Sequence, residues 1–351
     1  MPTSQTTPRT ALITGATGLL GSHIAERLVA QGDRVRTLVR PTSDTAYLES
    51  LGVELVTGDL TDTAACTRAV EGVDIVYHSA AKVGDWGPWP EFQSGVIDAT
   101  ANLARAAAKA RVERFLHISS TSAYGHPEEG GEPIDESATL GQNLWRFWDY
   151  YTQSKVEAER VLWGLAEARG LRLTVIRPSW LYGERDRTTT ARLVTRLQQR
   201  SVRLVGPGDN PMSAVYAGVV ADAAILAVRD PGSVGEAYNI TDQGRITQRD
   251  YLNLFAEACG APTVTRRLPC GLVWSAATLL EAHGRFTHRA RPPLISRYAA
   301  WLMGRRLSYS TNKARTRLGW SPALSYRESI ARTVQWYLEQ QNAAQKQNVL
   351  T

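Results

Sequence analysis

The sequence predicts an α/β protein: a doubly wound parallel sheet followed by a smaller C-terminal α/β lobe. Three observations carry this. Short apolar runs alternate with helical patterns through the first half of the 351 residues, as expected for a parallel sheet covered by helices. Glycines recur three apart in Thr14-Gly15-Ala16-Thr17-Gly18-Leu19-Leu20-Gly21, between the first strand and its helix. After Pro178 the pattern loosens into shorter elements and loops rich in Gly and Pro, such as Gly206–Pro211.

Taken in order, Thr10–Thr14 reads as the first strand and Leu19–Ala30 as a helix closed by Gly32. Val35–Val39, Val53–Val56 and Val73–His78 are the next three strands. An Ala-rich helix from about Ile97 to Ala110 leads to a fifth strand at Arg114–Ser119, and a helix over Tyr151–Arg169 leads to a sixth at Leu173–Arg177. Six such units with right-handed crossovers make a Rossmann sheet over residues 9–180. Residues 181–340 form the substrate lobe, with an interleaved boundary because the chain can cross between lobes more than once. Residues 1–8 and 341–351 are polar and expected to be flexible tails.

Composition narrows the classes. Three scattered cysteines have neither pairing nor metal spacing, and the first residues lack a signal-peptide core, so a cytoplasmic protein is expected. Only five of the 40 basic residues are lysine, and the arginines are dispersed instead of forming a nucleic-acid patch. The formal charge of +6 suits an anionic ligand. No segment reaches the roughly 20 apolar residues of a membrane span. The apolar stretch Leu268–Ala282, followed by Arg285, Arg289 and Arg291, reads first as a packed helix and second as a segment lying at a membrane surface. A homodimer is left open.

The glycine loop has a physical purpose. It lets the backbone turn tightly and a pyrophosphate approach the free N–H groups at the helix start. Arg40, at the end of the second strand, can clamp a 2′-phosphate where an NAD-binding sheet usually carries an acid, so NADP(H) is favoured. Asp44 keeps NAD(H) open. Asp59-Leu60 follows the third strand, where it can meet an adenine edge, and Asp59 can equally cap a turn.

Tyr151 and Lys155 stand four apart on one helix and so share a face. The ammonium is expected to lower the phenol's pKa toward working pH, making Tyr151 the acid/base. Tyr150 lies off that face. Ser120, at the carboxyl end of the fifth strand, would hydrogen-bond the substrate oxygen. Ser119 and Thr121 compete for that role.

With TGATGLLG, SSTSAYG, YTQSK and RPSWLYG in this order, the chain resembles the extended short-chain dehydrogenase/reductase family from about Thr10 to Trp336. The resemblance implies Ser120, Tyr151 and Lys155 as catalytic. Around the cofactor it implies the loop Gly15 to Gly21, Arg40, Asp59, Leu60, Ala80, Ala81 and Lys82. Pro178, Ser179 and Leu181 complete that set. HSAAKVGDWG and the apolar-then-basic segment around 268–306 are most similar to the 3β-hydroxysteroid dehydrogenase and β-keto acid reductase branch. One departure matters. Val96 stands where that pattern carries Asn, which argues against a water-mediated proton relay there.

Trp86, Trp145, Trp148 and Trp180 fall near the expected site and can wall a bulky apolar substrate or simply pack the lobes together. The reading is a hydride transfer on a secondary alcohol or ketone, with no metal. A nucleotide-sugar epimerase with tightly held NAD is the alternative, and Arg40 and the tryptophans weigh against it. A sugar dehydratase lacks its Asp-Glu pair, since Thr121-Ser122 follows the active-site hydroxyl. Intact YTQSK argues against a non-catalytic regulator.

Overall fold

The computed structural model describes residues 8–350, apart from Val83, Arg146, Arg187 and 242–244. Of the expected N-terminal tail, all but Pro8 lies outside the described residues. The chain runs β1 (Thr10–Thr14), α1 (Leu19–Ala30), β2 (Arg34–Val39), α2 (Ala46–Ser50), β3 (Glu54–Thr57), α3 (Thr63–Val70) and β4 (Ile75–His78). A short α4 (Trp89–Phe92) and a π-helical stretch (Gln93–Asp98) lead into α5 (Ala99–Ala110), β5 (Arg114–Ile118), α6 (Tyr150–Arg169) and β6 (Leu173–Pro178). Then come β7 (Trp180–Tyr182), α7 (Thr189–Gln198), β8 (Leu204–Val205), β9 (Ala214–Tyr216), α8 (Ala217–Arg229), β10 (Glu236–Ile240) and α9 (Gln248–Ala258). The remainder holds β11 (Arg267–Leu268), α10 (Cys270–Phe286), α11 (Arg297–Gly304), α12 (Asn312–Leu318) and α13 (Tyr326–Leu350).

Seven parallel strands form the central sheet in the order β10-β6-β5-β4-β1-β2-β3. Strand alternation sends neighbouring side chains to opposite faces. Ala11 and Ile13 of β1 pack toward α1 and α8, while Leu12 packs with Ala65 and Ala69 of α3 and Leu103 of α5. Both faces are therefore covered, which is why these strands read as continuous apolar runs.

The sequence expectation of six strands is corrected to seven. The additional strand, β10, comes from the chain's second half and pairs with β6, Ile240 opposite Pro178. Its backbone is paired on one side only, and nothing in the short Tyr-Asn-Ile run specifies β6 as its partner. The polar residues after 340 continue helix α13 to Leu350. Among the described residues, no helix is long and apolar enough to cross a membrane.

Candidate active site

At the end of β1, Gly15 takes φ +72°, and a Cβ there would lie 2.7 Å from the Ala80 amide nitrogen. A Cβ on Gly21 would meet the Gly15 carbonyl oxygen at 2.3 Å. No side chain larger than hydrogen fits either place. Gly18 donates its N–H to the Gly15 carbonyl at 3.0 Å. It starts α1 without a capping side chain, and the first turn carries no acid. That leaves helix-start N–H groups and their partial positive charge available to an anion.

Helix α6 carries the acid/base candidates. Tyr151 sits in its first turn, and Lys155 follows one turn later, buried and without a hydrogen-bond partner among the described residues. Burial lowers the Lys155 pKa to about 8, with Glu159 pulling the other way. Ser120 ends β5, and its Oγ accepts from the Ser122 amide and donates to Ser122 Oγ, both at 3.1 Å. The Ser120 and Ser122 hydroxyls lie close enough to the Tyr151 phenol to favour its ionised form. Burial outweighs them, so Tyr151 lies above its ordinary value. The expected depression by Lys155 is corrected here: desolvation dominates, and the ammonium is not among the influences on the phenol.

A second phenol shares the site. Tyr298, from α11, hydrogen-bonds Ser122 Oγ at 2.6 Å and packs edge-on to Tyr151 with ring centroids 5.3 Å apart. The cavity beside Tyr151 is lined by Asp85, Trp145, Trp148, Asp149, Glu281 and Tyr298 and measures about 10 Å³. That is the room of one water, and Glu281 of α10 and Tyr298 of α11, the helices that cap it, lie on its wall. Trp145 stacks on His126 at 3.8 Å, and His126 in turn bonds Asp149 at 2.7 Å. Trp145 and Trp148 therefore line the cavity. Trp86 instead grips the cap, its indole N–H donating to the Arg289 carbonyl at 3.0 Å with the Arg285 guanidinium 4.3 Å from its ring. Trp180 packs against the main core beside the sheet.

A family model described as the NAD-dependent epimerase/dehydratase family matches residues 11–241. The chain belongs to that family. Relatives include a 2-alkyl-3-oxoalkanoate reductase of Shewanella oneidensis, 28% identical over 92% of this chain and 84% of its own length. A 3β-hydroxysteroid dehydrogenase/Δ5→4-isomerase of Mycobacterium tuberculosis is 29% identical over 93% of this chain and 90% of its own. Among solved structures, the dTDP-glucose 4,6-dehydratase DesIV of Streptomyces venezuelae, with NAD and TYD bound, superposes with a TM-score of 0.76 at 24% identity, covering 95% of this chain and 98% of that one. The chain is thus an oxidoreductase of the extended short-chain dehydrogenase/reductase type.

Within this family member the other expected cofactor residues divide by what they touch. Arg40 is exposed just past β2 and close enough to help lower the Asp59 pKa, after the dominant hydrogen bonds from Thr61. Arg36 is already engaged by Glu54 at 2.9 Å. Asp59 Oδ1 accepts from the Thr61 amide at 2.8 Å, the turn role, and Leu60 offers its carbonyl to Asn102 at 3.1 Å. Ala80 abuts Gly15, whereas Lys82 is paired with Glu91 at 2.6 Å. Pro178 closes β6, Leu181 packs on the core, and the buried Ser179 hydroxyl has no hydrogen-bond partner among the described residues. Thr17 in the loop and Leu19 at the start of α1 are partly exposed, Leu20 is buried, and Ala81 packs beside Val96. Val96, in the relay position, is buried against Ala158 of α6.

Sequence reasoning missed the groups that hold α6 in place. Glu159, fully buried, accepts from Ser119 Oγ at 2.7 Å and from Arg177 Nε at 3.1 and 3.2 Å. Arg177 also donates to the Tyr124 phenol at 2.8 Å, and Tyr124 reaches Asn239 of β10 at 2.8 Å. The available signal was spacing: Glu159 stands four after Lys155, on the same face of the helix.

Proposed function

We propose that this enzyme transfers a hydride between NADP(H) and a secondary alcohol or ketone on a bulky apolar substrate, in the cytoplasm. The observation that carries it is the cluster of Tyr151 phenol, Ser120 hydroxyl and buried, protein-unpartnered Lys155 at the carboxyl edge of the sheet. The residues fit a dinucleotide. Gly15, Gly18 and Gly21 would admit its pyrophosphate against α1, and Lys155 would hydrogen-bond the nicotinamide ribose. Arg40, free of any ion pair among the described residues, would meet a 2′-phosphate. When bound, the dinucleotide supplies or accepts the hydride. In reduction, the Tyr151 phenol donates its proton to the substrate oxygen while Ser120 hydrogen-bonds that oxygen and shares its developing charge. The aromatic walls Trp145 and Trp148, together with the reductase and hydroxysteroid dehydrogenase names among the relatives, support an apolar substrate.

A nicotinamide absorbance assay over sterols, β-keto acids and nucleotide sugars, with each dinucleotide, tests the reading. Turnover confined to nucleotide sugars would overturn it. Arg40→Asp is expected to shift preference toward NAD(H) by about tenfold or more, since the new carboxylate repels a 2′-phosphate. An unchanged ratio of kcat/KM values would assign that role elsewhere.

The Lys155 ammonium also fixes a pH limb. Its pKa is lowered to about 8 by burial, so the charge is present below that pH and lost above it. kcat/KM for ketone reduction is therefore expected to hold near neutrality and fall as pH rises through about 8. A profile flat to alkaline pH would mean that the lysine's charge is not used.

A further inference from the structure

Helix α10 is apolar on two sides. Its inner stripe, Val273, Ala277 and Gly284, is buried, with Val273 and Ala277 packed against Val205 and Ala300. Its outer stripe repeats every seven residues and faces solvent: Leu272 is 57% exposed, Leu279 71% and Phe286 77%. Leu294, in the loop leading to α11, is 73% exposed. A helix hydrophobic all round belongs inside a protein or against something apolar, and this one lies on the surface.

The charges of its own stretch of chain are one-sided. Between Glu257 and Glu328 the only acidic residue is Glu281, which points inward, 4% exposed, and accepts the Arg297 amide at 2.9 Å. The same stretch carries twelve Arg and Lys residues. Arg266 and Arg267 at one end of α10, and Arg289 and Arg291 at the other, are exposed and have no ion pair among the described residues.

We propose that this outer face of the cap docks on an anionic lipid surface. Leucine and phenylalanine side chains would enter the headgroup boundary while the flanking arginines meet lipid phosphates, the pairing by which amphipathic helices lie on membranes. A second copy of the chain fits less well. A two-fold contact would bring this patch against itself, setting Arg289 and Arg291 against their own copies, while the one acid of their stretch, Glu281, points inward. The same two helices close the active site, since Tyr298 comes from α11 and Ser296 bonds Asp85. Docking would therefore set the cover of the cavity against the phase in which apolar substrates dissolve.

The test is sedimentation of the full chain with vesicles of equimolar phosphatidylcholine and phosphatidylglycerol, and with phosphatidylcholine alone. The wild type should bind the acidic vesicles, weakly or not at all the neutral ones, and lose affinity as salt rises. Leu272→Ser with Leu279→Ser should lower the partition coefficient by about tenfold or more. Arg289→Gln with Arg291→Gln should do so by a similar factor, with turnover of a water-soluble ketone and the melting temperature unchanged in both. Equal partition onto neutral and acidic vesicles, or none onto either, overturns the proposal. So does a dimer in solution that both double variants dissociate. Because vesicle binding is read without turnover, it fails or succeeds independently of the substrate assignment.

Discussion

Replacing Tyr151 with phenylalanine is expected to lower turnover by a factor on the order of 10² or more while leaving dinucleotide affinity nearly unchanged. Only one heavy atom, the phenol oxygen, is lost. The ring keeps its edge-on contact with Tyr298, and α6 keeps Lys155 one turn away. What disappears is the proton donor for the reacting oxygen. The cavity of about 10 Å³ has room for one water at most, and a water is a far weaker acid than a positioned phenol. Ser122 and Tyr298 sharpen the test, because Tyr298 is a second phenol within reach of the same hydroxyl pair, its Oη 2.6 Å from Ser122 Oγ. Turnover of Tyr151→Phe comparable to wild type, abolished on adding Tyr298→Phe, would transfer the acid/base role to Tyr298. A loss in kcat confined to Tyr151→Phe keeps it where the helix spacing put it.

The expected effect on the oxidation direction follows from the sign of the Tyr151 shift. Burial raises the phenol above its ordinary value, so the proton-donating form is present throughout the neutral range. Reduction finds its acid ready. Oxidation needs the phenolate, favoured by the Ser120 and Ser122 hydroxyls but disfavoured by desolvation and by Asp85.

Much of this was legible before any coordinates. Helix and strand periods put the six strands and three long helices read from the first half within a residue or two of their places, because each is an amphipathic or apolar run bounded by its own turn signals; the short helices α2, α3 and α4 went unread. The glycine loop and Tyr151–Lys155 were legible for the same reason: their geometry is local. Residues brought together by the fold were not. Tyr298 arrives from a helix in the second lobe with no motif around it, and β10 carries no mark of its neighbour. Trp86 and Trp180 look no different in sequence from Trp145 and Trp148, since only tertiary packing decides which rings face the cavity and which the core or the cap. The Lys155 effect on Tyr151 failed for a different reason. Spacing says that two groups share a face, whereas the pKa depends on how much water each retains.

Glu159→Gln is expected to destabilise the fold by about 3–5 kcal/mol, the cost of leaving a buried charge without its partner. Glu159 is fully buried and Arg177 nearly so. Among the described residues, the other hydrogen bond of the guanidinium goes to the neutral Tyr124 hydroxyl at 2.8 Å. Glu159→Leu combined with Arg177→Met should recover most of the loss, since a well-packed apolar pair of similar volume avoids both desolvation penalties. Denaturant unfolding of Glu159→Leu, Arg177→Met and their double closes that cycle, and a double variant no more stable than either single would show that the pair is not the unit holding α6 to β6. The single variant also has a chemical readout. Glu159 raises the Lys155 pKa against the effect of burial, so its neutralisation should move the alkaline limb of ketone reduction to lower pH. Loss of packing alone would lower the whole profile without displacing that limb, which separates an electrostatic role for Glu159 from a merely structural one.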